Sequence, residues 1–169
     1  MMERFISSES DFWESALANR IAWFTAALGL AGFMDALYLT IEHYSGGQVT
    51  CIIVTGCDKV LSGPYSEIFG IPIALLGIFY YLFIFSGALF FLFGNYHKFF
   101  RLTLLAASAG FLASVWFISL QLFIVKSLCF YCMISAFCCF ALFLLASLSF
   151  FHARKLKRNK KIGNQNQAK

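Results

Sequence analysis

Apolar residues along this chain gather into four long runs, roughly Ile21 to Ile41, Ile71 to Phe93, Leu102 to Val125 and Cys129 to Phe151. Each run holds about 20 residues or more, and a helix of that length, rising ~1.5 Å per residue, crosses the ~30 Å hydrocarbon layer of a bilayer. Polar positions are confined to the ends and the connections. The second and third runs are joined through "GNYHK" and the third and fourth through a few residues, so these neighbours run antiparallel. The pattern predicts an all-α integral membrane protein, a four-transmembrane-helix bundle over residues 21–151, with a cytoplasmic segment at 1–20 and a basic cytoplasmic tail at 152–169. The one long connection, residues 44–70, is punctuated by glycines. Its "CDKVLSGPYSEIFGIP" interleaves Val60, Leu61, Tyr65, Ile68 and Phe69 with polar residues, too apolar a mix for a solvated loop. We expect short helices there, lying on the outer face as a lid. Phe12, Trp13, Ala16 and Leu17 would form one face of an interfacial helix, and the polar end after Lys161 is expected to be disordered.

Composition supports the spanning reading. With 60% apolar, 19% aromatic and 12% charged residues and a mean hydropathy of +0.77, the chain has no polar shell with which to hide four such helices in water. The first run follows acidic residues (Glu3, Glu9, Asp11, Glu14) and precedes no convincing small-residue cleavage site, so it reads as a permanent helix. The net charge of +5 resides in Arg154 to Lys161, in Lys98 and Arg101, and at Arg4 and Arg20. Basic residues favour the cytoplasmic side, which puts both termini and the middle turn inside and the other two connections outside. The tail then fixes topology and touches anionic lipid; no aromatic and basic groove accompanies it, which argues against nucleic acid.

Six cysteines change the picture further. Cys138 and Cys139 lie two turns into the fourth span, where cysteine is ordinarily a small apolar filler. Cys51 and Cys57 in the long loop, with Cys129 and Cys132 opening the fourth span, all fall on the outer face, where disulfides persist. Two residues between Cys129 and Cys132 allow a bridge across one helical turn, and the amides of a helix N-terminus stabilise a thiolate there. Both pairs close tiny loops and would gain little as staples. Their proximity favours a thiol-disulfide relay over the alternatives, a non-enzymatic zinc-binding or disulfide-stapled membrane module; the five-residue gap is long for a zinc pair, and no metal site is expected.

Polar residues at membrane depth need a reason. Asp35, about two turns from the outer end of the first span, is a proton acceptor or relay beside a cofactor, or an aspartate bonded to a neighbouring helix. Gly110, Ser114, Phe117 and Gln121 share one face of the third span. Gln121 would hydrogen-bond a carbonyl of a cofactor bound in the bundle, and the small residues would leave room for an apolar tail of that cofactor or pack helices. Glu42 and His43 at the outer edge of the first span suit a solvated or lid-bonded role.

The run "CIIVTGCDKVLSGPYSEIFGIPIALLGIFYY" (Cys51 to Tyr81), preceded by "YLTIEHY" and followed by "CFYC" at the last helix, resembles the vitamin K epoxide reductase family, including its bacterial homologues, over roughly residues 20–150. The resemblance implies a bundle surrounding a quinone (ubiquinone or menaquinone) in a bacterial inner membrane, with the cysteine loops periplasmic. It implies that Cys51 exchanges disulfides with a thioredoxin-like protein, that Cys57 passes electrons to Cys129, and that Cys132 faces the quinone. Ser66 aligns where vertebrate members carry a quinone-contacting asparagine, and Ala136 stands where they carry a tyrosine, which favours plain quinone reduction over epoxide reduction. Some bacterial relatives carry a fused thioredoxin-like domain; here the partner is expected to be a separate protein.

Overall fold

The computed structural model describes residues 16–45, 67–68, 70–94 and 96–167. Cys51, Cys57 and Ser66, most of the expected lid, and Phe12 and Trp13 of the expected interfacial helix lie outside the described residues.

Four helices, each long and apolar enough to cross a membrane, make up a four-helix bundle. They are α1 (Ala16–Ser45), α2 (Ile73–Gly94), α3 (His97–Leu120) and α4 (Phe130–Gln167). Two short strands, β1 (Glu67–Ile68) and β2 (Ile71–Pro72), pair antiparallel immediately before α2, with Glu67 opposite Pro72 and Ile68 opposite Ile71. The described end of the lid segment is therefore extended, not helical. Gly70 turns the chain at φ 77°, a conformation that costs glycine nothing. Each helix packs on two neighbours, α1 on α2 and α4, and α3 on α2 and α4.

Two helices differ from the sequence reading at their ends. Residues 16–20 continue α1 rather than ending an interfacial helix, because nothing in "ALANR" breaks a helix. α4 runs on to Gln167 through the segment expected to be disordered: lysine, arginine and glutamine are good helix formers, and Gly163 alone does not stop it. The basic tail is thus a helical extension of the last span.

The outward surfaces are apolar, as a lipid solvent requires: Phe93 is 81% exposed, Phe123 78% and Leu112 70%. One core cluster joins Ala18, Ile21 and Ala22 of α1 to Phe91, Phe100, Leu104 and Ala146, and so closes the end that carries the α2–α3 turn. A second, at mid-depth, joins Ala36, Tyr81, Ile84, Ala107, Cys138, Cys139 and Leu142. The α1–α2 contact is close because Gly32 lies flat against the Tyr81 ring, where a Cβ would collide with it. Buried hydroxyls mostly satisfy themselves on their own helix. Thr25 donates to the Ile21 carbonyl at 2.8 Å, Thr40 to Ala36 at 2.8 Å and Thr103 to Phe99 at 3.1 Å.

Candidate redox site

The end of the bundle away from the α2–α3 turn is built around the start of α4. The Cys129 carbonyl accepts the first helical hydrogen bond, from Met133 N–H at 3.1 Å, so Cys129 caps the helix and Cys132 sits three residues in. The Cys129 sulfur takes the place of a capping oxygen. The Cys132 thiol donates to it, and although burial opposes ionisation, the backbone amides of Cys132 and Tyr131 donate as well; together they hold Cys129 down to about 7 from the ordinary thiol value. Tyr131 meets Tyr38 of α1 with ring centroids 4.9 Å apart, which ties this first turn to the bundle. Cys129 is fully buried, whereas Cys132 is partly exposed.

The preceding connection is shaped to reach this turn. α3 widens into a π-helical turn over Gln121–Val125 and stops at Lys126, whose φ of 51° is the left-handed conformation of a helix C-terminus. The Gln121 carbonyl accepts from the Lys126 and Ser127 amides, the latter at 3.3 Å. The chain thereby folds back, and the buried Gln121 side chain accepts from the Cys129 amide, 3.1 Å from Oε1.

Beneath the cysteines lies a cavity of about 430 Å³ with largely apolar walls. Of the residues predicted from sequence, Asp35, Gly110, Ser114, Phe117, Gln121 and Cys132 line it, contributed by α1, α3 with its π turn, and α4. Cys129 is buried beside it without lining it, and Ala136 adds only a methyl group to the wall. Its lining extends from His43 and Pro72 to Tyr80, Tyr81 and Cys139. The step from Cys132 to Cys139 alone is about 10 Å along α4 at 1.5 Å per residue.

Cys139, Tyr81 and Tyr80 also line the cavity, though none was given a site role from sequence. Cys139, read there as filler, hydrogen-bonds the Tyr81 hydroxyl at 3.2 Å and borders the cavity; Cys138 is buried in the mid-depth core, as a filler would be. The Tyr81 hydroxyl also meets Ser135 Oγ at 2.7 Å and donates to the Ser135 carbonyl at 2.9 Å. The Tyr80 hydroxyl packs against Gly110 at a point where a Cβ would displace it. Part of the room left by Gly110 is thus filled by Tyr80 rather than kept for an isoprenoid tail. Two adjacent tyrosines deep in an apolar span were the available signal, since each hydroxyl there must find a partner.

Two buried polar atoms among the described residues have no hydrogen-bond partner, Asp35 Oδ2 and the Tyr80 hydroxyl. Both residues line the cavity. Leaving such a group unsatisfied costs about 1–3 kcal/mol, so the cavity wall is incomplete without a ligand that offers polar atoms within an otherwise apolar body. A quinone ring has that chemistry: two carbonyl oxygens on a flat apolar frame.

A model of the vitamin K epoxide reductase family matches residues 23–147. The chain belongs to that family. No curated protein matches the sequence. Membership makes the protein an integral membrane oxidoreductase of the general thiol–quinone class. The matched region runs from within α1 to within α4 and contains both cysteine pairs, Asp35 and Gln121.

Two expected results arise from this geometry. Tyr81→Phe strands the Ser135 and Cys139 partners and lowers stability by about 1–2 kcal/mol, whereas Tyr80→Phe, which removes an unpartnered buried hydroxyl, raises the thermal unfolding temperature of the ligand-free protein in detergent. Alkylation of Cys129 in the reduced protein should accelerate as pH rises through about 7. Cys132→Ala removes the largest cause of the lowered value and moves that rise toward the ordinary thiol range near 8.5; a pH series of alkylation rates reads both.

Proposed function

We propose that this protein reoxidises a separate thioredoxin-like protein on the extracytoplasmic side and passes the electrons to a membrane quinone, ubiquinone or menaquinone, in support of disulfide formation. Both termini lie in the cytoplasm of a bacterial cell and the cysteine loops in the periplasm, in keeping with the basic residues of the α2–α3 turn and the tail. Cys51 exchanges with the partner, and Cys57 hands the electrons to Cys129. Cys132, on the cavity wall, completes the relay.

The observation that carries this reading is the coincidence of Cys132 with an apolar cavity whose two unsatisfied polar groups, Asp35 and Tyr80, await hydrogen-bonding atoms. When bound, a quinone would supply the sink for two electrons and two protons. Cys129 and Cys132 release that number of each as their two thiols close to a disulfide. Tyr80 would donate a hydrogen bond to a carbonyl. Asp35, whose charge bears on both sulfurs, would hold a proton leaving the cysteines at Oδ2. Phe117, Ser114 and Gly110 shape the wall and keep water out, and Ser66 would contribute from the lid. With alanine at position 136 the wall carries no further hydroxyl there, which suits plain quinone reduction.

The test is a coupled assay on the purified protein. Quinone absorbance should bleach with oxidation of one reduced thioredoxin-like dithiol per quinone. Bleaching that proceeds without consumption of the dithiol, or no bleaching with either quinone, would overturn the proposal. In Cys57→Ala, the partner should be captured through Cys51 as a mixed disulfide.

A further inference from the structure

The Gln121 side chain is only 5% exposed and lines the cavity. Its Oε1 is taken by the Cys129 amide at 3.1 Å. One glutamine therefore holds the residue that caps α4, and the preceding backbone is shaped to bring it there. A regular α-helical end would carry the chain onward; the π turn and the left-handed Lys126 reverse it, so that residues eight apart in sequence meet. π turns inside helices recur at functional sites, and an unstrained sequence has no need of one.

We infer that Gln121 is a positioning residue for the Cys129–Cys132 couple: its carbonyl, accepting from the Cys129 amide, holds that sulfur at the N-terminus of α4, where the helix amides favour the reduced pair. The inference rests on the reading of this pair as a redox couple. The physical asymmetry is simple. A thiol or thiolate sulfur is a better acceptor than a disulfide sulfur, and hydrogen bonds to an ionised acceptor are roughly twice as strong as neutral ones. When the pair is oxidised, two electrons and two protons leave, the S–S bond forms and the helix amides lose most of their hold on the Cys129 sulfur. By keeping that sulfur at the cap, Gln121 thus makes the disulfide a stronger oxidant of the thiols that feed it. It also holds Cys129 in the capping position while Cys132 lines the cavity, and so keeps the two sulfurs in separate roles.

The experiment is a redox equilibration in detergent, without quinone, in a Cys51→Ala/Cys57→Ala background that leaves one redox pair. The protein is equilibrated with reduced and oxidised dithiothreitol, and the fraction of the Cys129–Cys132 pair that is reduced is read by alkylation and mass spectrometry. Gln121→Met keeps the volume and removes both polar ends; Gln121→Asn keeps the amide but falls one methylene short. Each should shift the equilibrium about tenfold toward the disulfide, a potential about 30 mV more negative. Thermal unfolding identifies a variant that has failed to fold, in which case the other decides. Equilibria within about twofold of the parent in a folded variant overturn the inference, as does an unchanged equilibrium with a raised KM for quinone, which would make Gln121 a quinone ligand. If the parent shows no dithiol–disulfide couple at these positions, the redox reading itself fails, and that outcome is distinct from both.

Discussion

Cys132→Ala should lower quinone reduction by at least about 10³-fold, a loss of the size seen when one member of a reacting unit is removed. Cys132 is the thiol on the cavity wall, and Cys129 is buried beside it without reaching that wall. Alanine fills nearly the same space and leaves the helix start intact, so the protein should fold. The remaining relay then stalls at an identifiable point. Without Cys132 no Cys129–Cys132 disulfide can form to take electrons from Cys57; the Cys129 thiolate can only attack a Cys51–Cys57 disulfide at Cys57, releasing the Cys51 thiolate, and that mixed disulfide is undone only by Cys51 attacking back. Mass mapping of the non-reduced variant should therefore find Cys57 linked to Cys129. Normal quinone reduction by the variant would remove Cys132 from the proposed path, and an equal loss in a Cys139→Ala variant with Cys132 intact would move the path deeper into the cavity.

Asp35→Asn should reduce kcat for quinone reduction by about 10²-fold, the lower end of what a positioned acid or base contributes, with KM little changed. A carboxylate in a membrane span is costly, and here Oδ2 has no partner while the residue lines the cavity shared with Cys132. Asparagine reproduces the shape but cannot carry a proton away from the cysteines. The proposed exchange between a thioredoxin-like partner and the Cys51–Cys57 pair does not involve Asp35 and should proceed at the parental rate in the same variant. A kcat within about threefold of the parent would deny Asp35 a proton-transfer role of that magnitude. A rise in KM alone would make it a binding group.

The spans were legible because a bilayer demands a fixed length of apolar helix, and four runs of that length leave a short chain no other fold. Their ends were less so. Helix continuation at Ala16–Arg20 and beyond Lys161 depends on local propensity, which the apolar boundary does not report. The extended residues around Gly70 were hidden by a mixed apolar pattern that suits a short helix or a short strand equally. At the site, Asp35 could be marked because it puts a charge in an apolar span, and Gly110, Ser114, Phe117 and Gln121 because their spacing shares one helix face; the structure brings all five to one cavity with Cys132. Tyr80, Tyr81 and Cys139 were given no site role, since a helix that is apolar all round has no stripe to say which residues face inward. The engagement of Gln121 with Cys129 was invisible for a different reason. It depends on a backbone reversal at Lys126, and "QLFIVKS" contains neither the glycine nor the asparagine that usually announces a left-handed residue.

A single-turnover titration tests the central claim most directly. The Cys51→Ala/Cys57→Ala protein, fully reduced, is mixed anaerobically with less than one equivalent of ubiquinone or menaquinone, and each remaining thiol is alkylated and assigned by mass. The account predicts one Cys129–Cys132 disulfide formed for each quinol produced, with Cys138 and Cys139 still reduced. Quinol formation that leaves Cys129 and Cys132 as thiols, or that consumes Cys139 in their place, would contradict it.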